Sequence, residues 1–482
     1  MACPPERTDA LLEALHGAIE QGRVRISKDK KITAALREGI ENIDRLMSAQ
    51  MAEIMHAPEF RQVEGSWRGL HKLVDRSALS SEIQVHVLNA SKERLADSFE
   101  SATSIDKSLL WRTVYTNEFD MAGGRPYGAL IGDFQFDNTP ADLELLRNIG
   151  TVASAAHCPF VTSPSPQVFG LKSFGQLRQG HTANLDTLFD GDEYIGWNAL
   201  RKSPVSKYIV MAMPQTMERL PYAPGANEIK EFKFDEVGKD SRGIAKELPH
   251  DCFCWSNAAY SVAYFMNNSI EATGWCTWIR GEESGGQIDR LPVYTTKGPD
   301  GLLTTKPATE VEIPYAYENI LSQLGFMPLV HHKRSDMAVI YSGETLHRPE
   351  KRVGSTKEET VRINKNLEVG KKLPNVLAAG QLAQWVMRFC YGKIGGPHDA
   401  KEIEKKLNDL INSRFVCGSS NPSIEEKFKY QFAAAEVKVV ESDRAGHYEA
   451  VVKVRPFDVF EGMDAAIELR ADLGSSQGNS GS

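Results

Sequence analysis

The chain lacks most of what marks a membrane protein, a secreted scaffold or a nucleotide-dependent catalyst. No stretch among its 482 residues approaches the roughly 20 continuous apolar residues that a membrane span needs. The first residues, M-A-C-P-P-E-R-T-D, have no apolar core of the signal-peptide kind, so no leader is expected. Its 7 cysteines are scattered and odd in number, which argues against a disulfide framework and makes the cytoplasm the expected compartment. Excess positive charge is also missing. A net charge of −8 and a pI near 5.9 count against a general nucleic-acid binder. No internal repeat, no G-x-x-x-x-G-K-S/T loop and no G-x-S-x-G elbow occurs.

What is present is the composition of a globular protein, 41% hydrophobic and 25% charged, long enough for more than one compact unit. The chain is organised around residues 125–166. Tyr127, Ala129, Leu130, Ile131 and Phe134 form a short apolar run punctuated by Gly128 and Gly132, the pattern of a buried strand. A helix follows with its start signals in place: Thr139 can cap, Pro140 suits the first position, and Asp142 sits in the first turn. Leu143, Leu146, Ile149, Val152 and Ala153 share one face, and C-P-F-V-T-S-P-S-P then supplies a second strand. Strand, helix and strand in this order predict a right-handed crossover and a partly parallel sheet, hence a mixed α/β (α+β) fold.

Before this core, residues 8–20 have helical spacing and Val24-Arg25-Ile26-Ser27 alternates as a short strand, with Lys28, Lys30 and Lys31 behind it. A lone strand of that length needs a partner sheet. Residues 34–56 form a helix whose apolar stripe holds Ile40, Ile43, Leu46, Met47, Met51 and Ile54. Periodicity leaves open whether that stripe packs on the chain's own core or on a second chain. Ile83, Val85 and Val87 alternate as a strand, as do residues 275–280. Residues 227–247 are charged and short of aliphatics, which predicts an exposed loop. A long helical stretch over 364–391 is interrupted at Pro374. Near the end, Val437-Lys438-Val439 and Val451-Val452-Lys453-Val454 alternate across D-R-A-G-H as a β-hairpin, and Ile467-Glu468-Leu469-Arg470 continues the pattern.

Candidate chemical sites are weak. The G-E-E-S-G-G turn at 281–286 lacks a lysine and carries two glutamates that would repel a phosphate, so its glycines are read as conformational. Cys252 and Cys254 are only two apart, off the usual zinc spacing, although His250 and Cys276 are in the same region. His331 and His332 are adjacent and would face opposite sides of a strand. Cys158 and Cys390 sit in apolar surroundings and read as inert. No catalytic residue, cofactor site or metal site is assigned.

Several strings in register resemble one family. They are Y-G-A-L-I-G-D-F-Q-F with D-L-E-L-L-R-N-I and A-A-H-C-P-F in the core, and E-G-S-W-R-G-L-H-K-L-V at 64–74. L-P-Y at 220–222, W-S-N-A-A-Y at 255–260, G-W-C-T-W-I-R-G-E-E-S-G-G at 274–286 and L-G-F-M-P-L-V-H at 324–331 join them. Together they are similar to the TssC/VipB family, the large subunit of the contractile sheath of bacterial type VI secretion systems. The match runs from about residue 51 to the C-terminus and is poorest before Lys30.

The resemblance implies a phage tail sheath-like core with mixed sheets, an N-terminal helical arm and a C-terminal β-hairpin. It implies a protein without catalytic residues that pairs with a small sheath subunit (TssB/VipA-like) and with further copies of itself around an inner tube protein. Contraction would expel that tube, a baseplate is a further expected partner, and an AAA+ unfoldase (ClpV-like) would recycle the contracted form. Neither nucleic acid nor membrane insertion enters this scheme. Expected divisions are an arm and docking helix over 1–57, a sheath core over 58–431, terminal strands over 432–474 and a tail over 475–482. Expected inter-subunit strand residues are Val24, Ile26, Val451, Val452, Val454, Ile467 and Leu469. Ile43, Leu46, Met47 and Met51 are expected to meet the small subunit. The opposing expectation is a soluble cytoplasmic α/β enzyme with a small ligand at the 281–286 turn.

Overall fold

The structure, a computed structural model, describes residues 32–78, 80–179, 185–223, 227–229, 232–238, 246, 248–297, 303–391, 400–419, 421–441, 447–457 and 467–475. Strands in chain order are β1 (Leu130–Phe136), β2 (Phe160–Pro164), β3 (Ile209–Met213), β4 (Thr216–Arg219), β5 (Cys254–Ser256) and β6 (Gln287–Ile288). They continue as β7 (Tyr294–Lys297), β8 (Leu303–Lys306), β9 (Phe326–His331), β10 (Ala338–Ile340), β11 (Phe432–Glu441), β12 (His447–Pro456) and β13 (Ile467–Ser475). The chain divides into two compact units. One comprises Met1–Gly65 and Glu218–Trp255, the other Ser66–Met217 and Ser256–Ser482.

The larger unit is built on a mixed six-stranded sheet of order β1-β2-β3-β9-β10-β6. β1, β2, β3 and β9 run parallel, β10 pairs antiparallel with β9, and β6 pairs antiparallel with β10. β2 and β3 are buried along their whole length, and β3 (I-V-M-A-M) accordingly is a continuous apolar run rather than an alternating one. The predicted crossover is present: β1 and β2 flank the helix Pro140–Ala155, and the Thr139 side chain accepts from the Asp142 amide. That helix sinks Leu146, Ile149, Val152 and Ala153 into one face of the sheet, beside Trp197, Phe326 and Val386. Each of Leu146, Ile149 and Val152 contributes about 1.5–3 kcal/mol on burial.

The other sheet face is covered by the helix Ala258–Thr273 through Ala259, Val262 and Phe265, against Val161, Val210 and Met327. Asn257 caps its start and Gly274, with φ of 76°, ends it. The helices Leu373–Tyr391 and Ala400–Arg414 carry the first core onward to the second sheet, β11-β12-β13, through Leu407, Ile411, Val437, Val452 and Val454.

Three sequence expectations are corrected. Residues 83–90 join no ladder, because alternation supplies a face and not a pairing partner. Residues 275–280 are irregular rather than a strand. Their aromatics pack in three dimensions instead, Trp275 against Phe415 and Phe432, Trp278 against Phe428. The third concerns 227–247, where Phe234, Glu236 and Val237 are buried rather than exposed.

Candidate interaction surfaces

The helix Ile32–Met55 is amphipathic in the reverse sense from a helix on its own core. It buries Ser48 and Met55, while Leu36, Ile40, Leu46, Met47, Met51 and Ile54 are exposed, Leu46 by 63%. Ile43 is half-buried. The inward face is held by polar contacts: the Asp235 amide donates to the Ser48 hydroxyl at 3.2 Å, and His56 Nε2 meets Glu236 Oε1 at 3.2 Å. So the face that packs carries Ser48 and Met55, while most of the large apolar side chains look to solvent. Contiguous exposed apolar surface of this kind marks an interaction site.

An ion cluster fixes this unit internally. Arg219 grips Glu64 with two bonds, Nε to Oε1 at 2.6 Å and Nη2 to Oε2 at 3.0 Å. It grips Glu236 with two more, Nη1 to Oε2 at 2.7 Å and Nη2 to Oε1 at 3.2 Å. The Tyr222 amide also donates to Glu236, at 2.8 Å, and the Tyr222 ring lies 4.6 Å from the guanidinium. Burial would lower the Arg219 pKa, but the hydrogen bonds to Glu64 and Glu236 outweigh it and the net shift is upward. Planar bidentate geometry is what an arginine provides and a lysine does not. The strings at 64–74 and 220–222 thus meet at one clamp. Sequence reasoning missed Arg219 and Glu236 because the partners lie far apart along the chain.

The terminal sheet is antiparallel, with β12 in the middle. Val451, Val452 and Val454 therefore belong to a strand paired on both sides, and all three are buried. Its two outer strands differ. On β11 the Val437 amide donates to Asn408 Oδ1 at 2.8 Å, and Asn408 Nδ2 donates to the Val437 carbonyl at 2.7 Å. The Val439 amide donates to Glu404 Oε2 at 2.9 Å. Among the described residues no strand pairs with the outer side of β13, which carries Ile467 and Leu469. Val24 and Ile26 lie outside the described residues.

With the fold and these surfaces established, comparison with known proteins is direct. Two consecutive tail sheath families match, the EvpB/VC_A0108 tail sheath N-terminal domain over residues 37–347 and the EvpB/VC_A0108 tail sheath gpW/gp25-like domain over 362–473. The type VI secretion system sheath protein TssC1 of Pseudomonas aeruginosa is 34% identical over 444 residues, 91% of this chain and 86% of that one. This chain belongs to the TssC/VipB family of type VI secretion sheath proteins. Among solved structures, the sheath tail protein of Desulfitobacterium hafniense aligns with TM-score 0.27 and 10% identity, covering 68% of this chain and 60% of that one. The sheath tail protein Lin1278 of Listeria innocua aligns with TM-score 0.26 and 11% identity, over 70% and 61%.

In this sheath protein the remaining candidate residues sit in turns, ion pairs or buried surroundings. The 281–286 turn closes onto β10: the Gly281 amide donates to the Ile340 carbonyl at 2.7 Å and the Ile340 amide to the Gly286 carbonyl at 2.9 Å. Gly285 has φ of 81°, and a Cβ there would sit 2.5 Å from the Trp278 carbonyl oxygen. Glu282 accepts from the Tyr341 hydroxyl at 2.9 Å and meets His332 at 3.0 Å, while the neighbouring His331 is buried. Burial pushes the Cys276 thiol up to about 12 and Cys390 up to about 11, and raises Cys158 further, so none is a ready nucleophile. Cys254 is buried, and no metal-holding cluster occurs among the described residues. Likewise no described helix is long and apolar enough to cross a membrane.

Proposed function

We propose that this chain is a purely structural element of its sheath, pairing with a small sheath subunit through the helix Ile32–Met55 and joining further copies of itself through its termini. The observation that carries the pairing is the outward face of that helix, where Ile40, Leu46, Met47 and Met51 are exposed and Ile43 half-buried, while Ser48 points in. A helix laid along it would bury apolar anchors at three- and four-residue spacing, the pattern of helix-in-groove recognition. The heterodimers surround an inner tube, a baseplate is a further partner, and an AAA+ unfoldase acts on the contracted form. Strand addition between copies joins the rings: Val24–Ile26 from one copy extends a terminal sheet of another. Energy for contraction then resides in bistable interfaces rather than in a bond broken within this chain.

The test is Leu46→Asp combined with Met51→Asp, in the full chain co-expressed with the small subunit. Both side chains are exposed, so the chain should keep its circular dichroism and lose co-purification of its partner by more than tenfold, since two buried anchors at 1–2 kcal/mol each exceed that factor. Undiminished co-purification would remove the helix from the interface.

A further inference from the structure

We propose that the basic loop 348–354 of one copy docks on the acidic start of the helix Ile195–Lys202 in another, setting Val353 against Ile195 between opposite charges. This rests on the reading that copies assemble with one another, and it adds a contact separate from the termini.

The loop is fixed although it has no regular secondary structure. Asn364 holds residue 352 as a neighbouring peptide would: its Oδ1 accepts from the Arg352 amide at 2.8 Å, and its Nδ2 donates to the Arg352 carbonyl at 2.9 Å. The Gly354 amide donates to Thr360 Oγ1 and the Ser355 amide to Glu359 Oε2, each at 2.9 Å. The helix Lys357–Gly370 thus fastens both flanks of Val353. At the loop's start the Arg348 amide donates to the Arg201 carbonyl at 2.8 Å. Val353 is nevertheless 90% exposed, more than any other large apolar side chain among the described residues. An uncovered side chain on a backbone already held in place has little ordering cost left on binding.

Charge selects the occupant. Arg348, Lys351 and Arg352 are exposed, as is Lys202 beside the Arg201 fastening, and Glu350 is the loop's only acid. Among the described residues none of these four cations has an ion-pair partner. The chain carries 64 acidic against 56 basic residues, so a second copy is a predominantly acidic partner. It also offers a matching patch. Ile195 is 66% exposed and follows the exposed Asp190, Asp192 and Glu193.

Placement makes the match one between copies. The helix Ile195–Lys202 has 8 residues, so roughly 12 Å of axis separates the acidic start from the basic end. The Glu193 carbonyl accepts from Asn138, just past the end of β1, whereas the Leu346 amide donates to Ile209, the first residue of β3. β1, β2 and β3 run parallel, so the patches stand at opposite edges of the sheet. Bringing like edges together would oppose like charges. A head-to-tail contact satisfies both patches, and repeated from copy to copy it builds a ring or a filament.

The test uses the full chain with its small subunit and reads pelletable tubes. Lys351→Glu with Arg352→Glu should lower the tube yield by roughly tenfold or more, since like charges across an interface oppose it. Asp192→Lys with Glu193→Lys should do the same. Heterodimer formation should be unchanged in both, because all four side chains are exposed. Combining the two pairs should recover tubes, and a combination no better than either pair would overturn the match. In oxidised tubes Val353→Cys with Ile195→Cys should link copies of this chain by a disulfide. A link between copies through Val353→Cys alone would overturn the head-to-tail arrangement. Loss of the heterodimer in Lys351→Glu with Arg352→Glu would give the loop to the small subunit and overturn a second copy as its occupant. Tubes at unchanged yield in that variant would overturn the contact while leaving assembly of copies intact. An unaltered chain that forms no tubes with its small subunit would overturn assembly itself.

Discussion

At the scale of single residues, Arg219 carries the most. It is the buried cation between two carboxylates, with side-chain exposures of 7% for Arg219, 11% for Glu64 and 0% for Glu236. Removing the cation alone would leave two acids facing each other out of water, a situation that costs about 3–5 kcal/mol. Arg219→Met is therefore expected to loosen the whole 218–236 segment. Adding Glu64→Gln and Glu236→Gln should recover much of the loss by removing the unpaired charge. Hydrogen exchange at the Tyr222 amide, which is bonded to Glu236, reads this locally. Unchanged protection of that amide in Arg219→Met would show that the clamp contributes nothing. No sequence pattern announces such a clamp. Glu64 is 155 residues from Arg219, and local charge density marked 227–247 as solvent-facing when its Glu236 had an interior partner.

Among the elements, what could be read from sequence divides along a physical line. Local signals transferred well: Thr139 as a cap and the alternation of β11 and β12 both stand in the structure. Nothing local distinguishes a strand that finds a partner from one that does not, so 83–90 was legible only as a strand, and nothing local announced that the aromatics of 275–280 pack from an irregular segment. The apolar stripe of the helix Ile32–Met55 was legible as a face but not as an outward one, because periodicity carries no sign. The helix Ala400–Arg414 went unread, although Ile403, Leu407, Leu410 and Ile411 are helically spaced. The 281–286 turn was read correctly as conformational. Gly285→Val should accordingly cost about 1–3 kcal/mol, since it places a branched side chain at positive φ against a carbonyl. Thermal unfolding followed by circular dichroism measures it, with the exposed Glu283→Ala as a neutral control. An unshifted transition in Gly285→Val would mean that the turn tolerates a side chain and its glycines need another reason.

On the scale of the whole molecule, the features that do not serve the chain's own core all face outward. One helix exposes the side it would be expected to hide, and one sheet has an outer strand with no further strand beside it among the described residues. Exposed apolar faces and unpaired strand edges are liabilities in a free protein, and natural proteins blunt them unless a partner covers them. In this family a partner is expected at both. The central claim is that the chain completes itself only in a polymer, and solution size tests that most directly. The full chain co-expressed with its small sheath subunit, purified and viewed by negative-stain microscopy, should give long hollow tubes, and the chain expressed alone should give none. Discrete particles of defined small size in the presence of the small subunit would contradict the account.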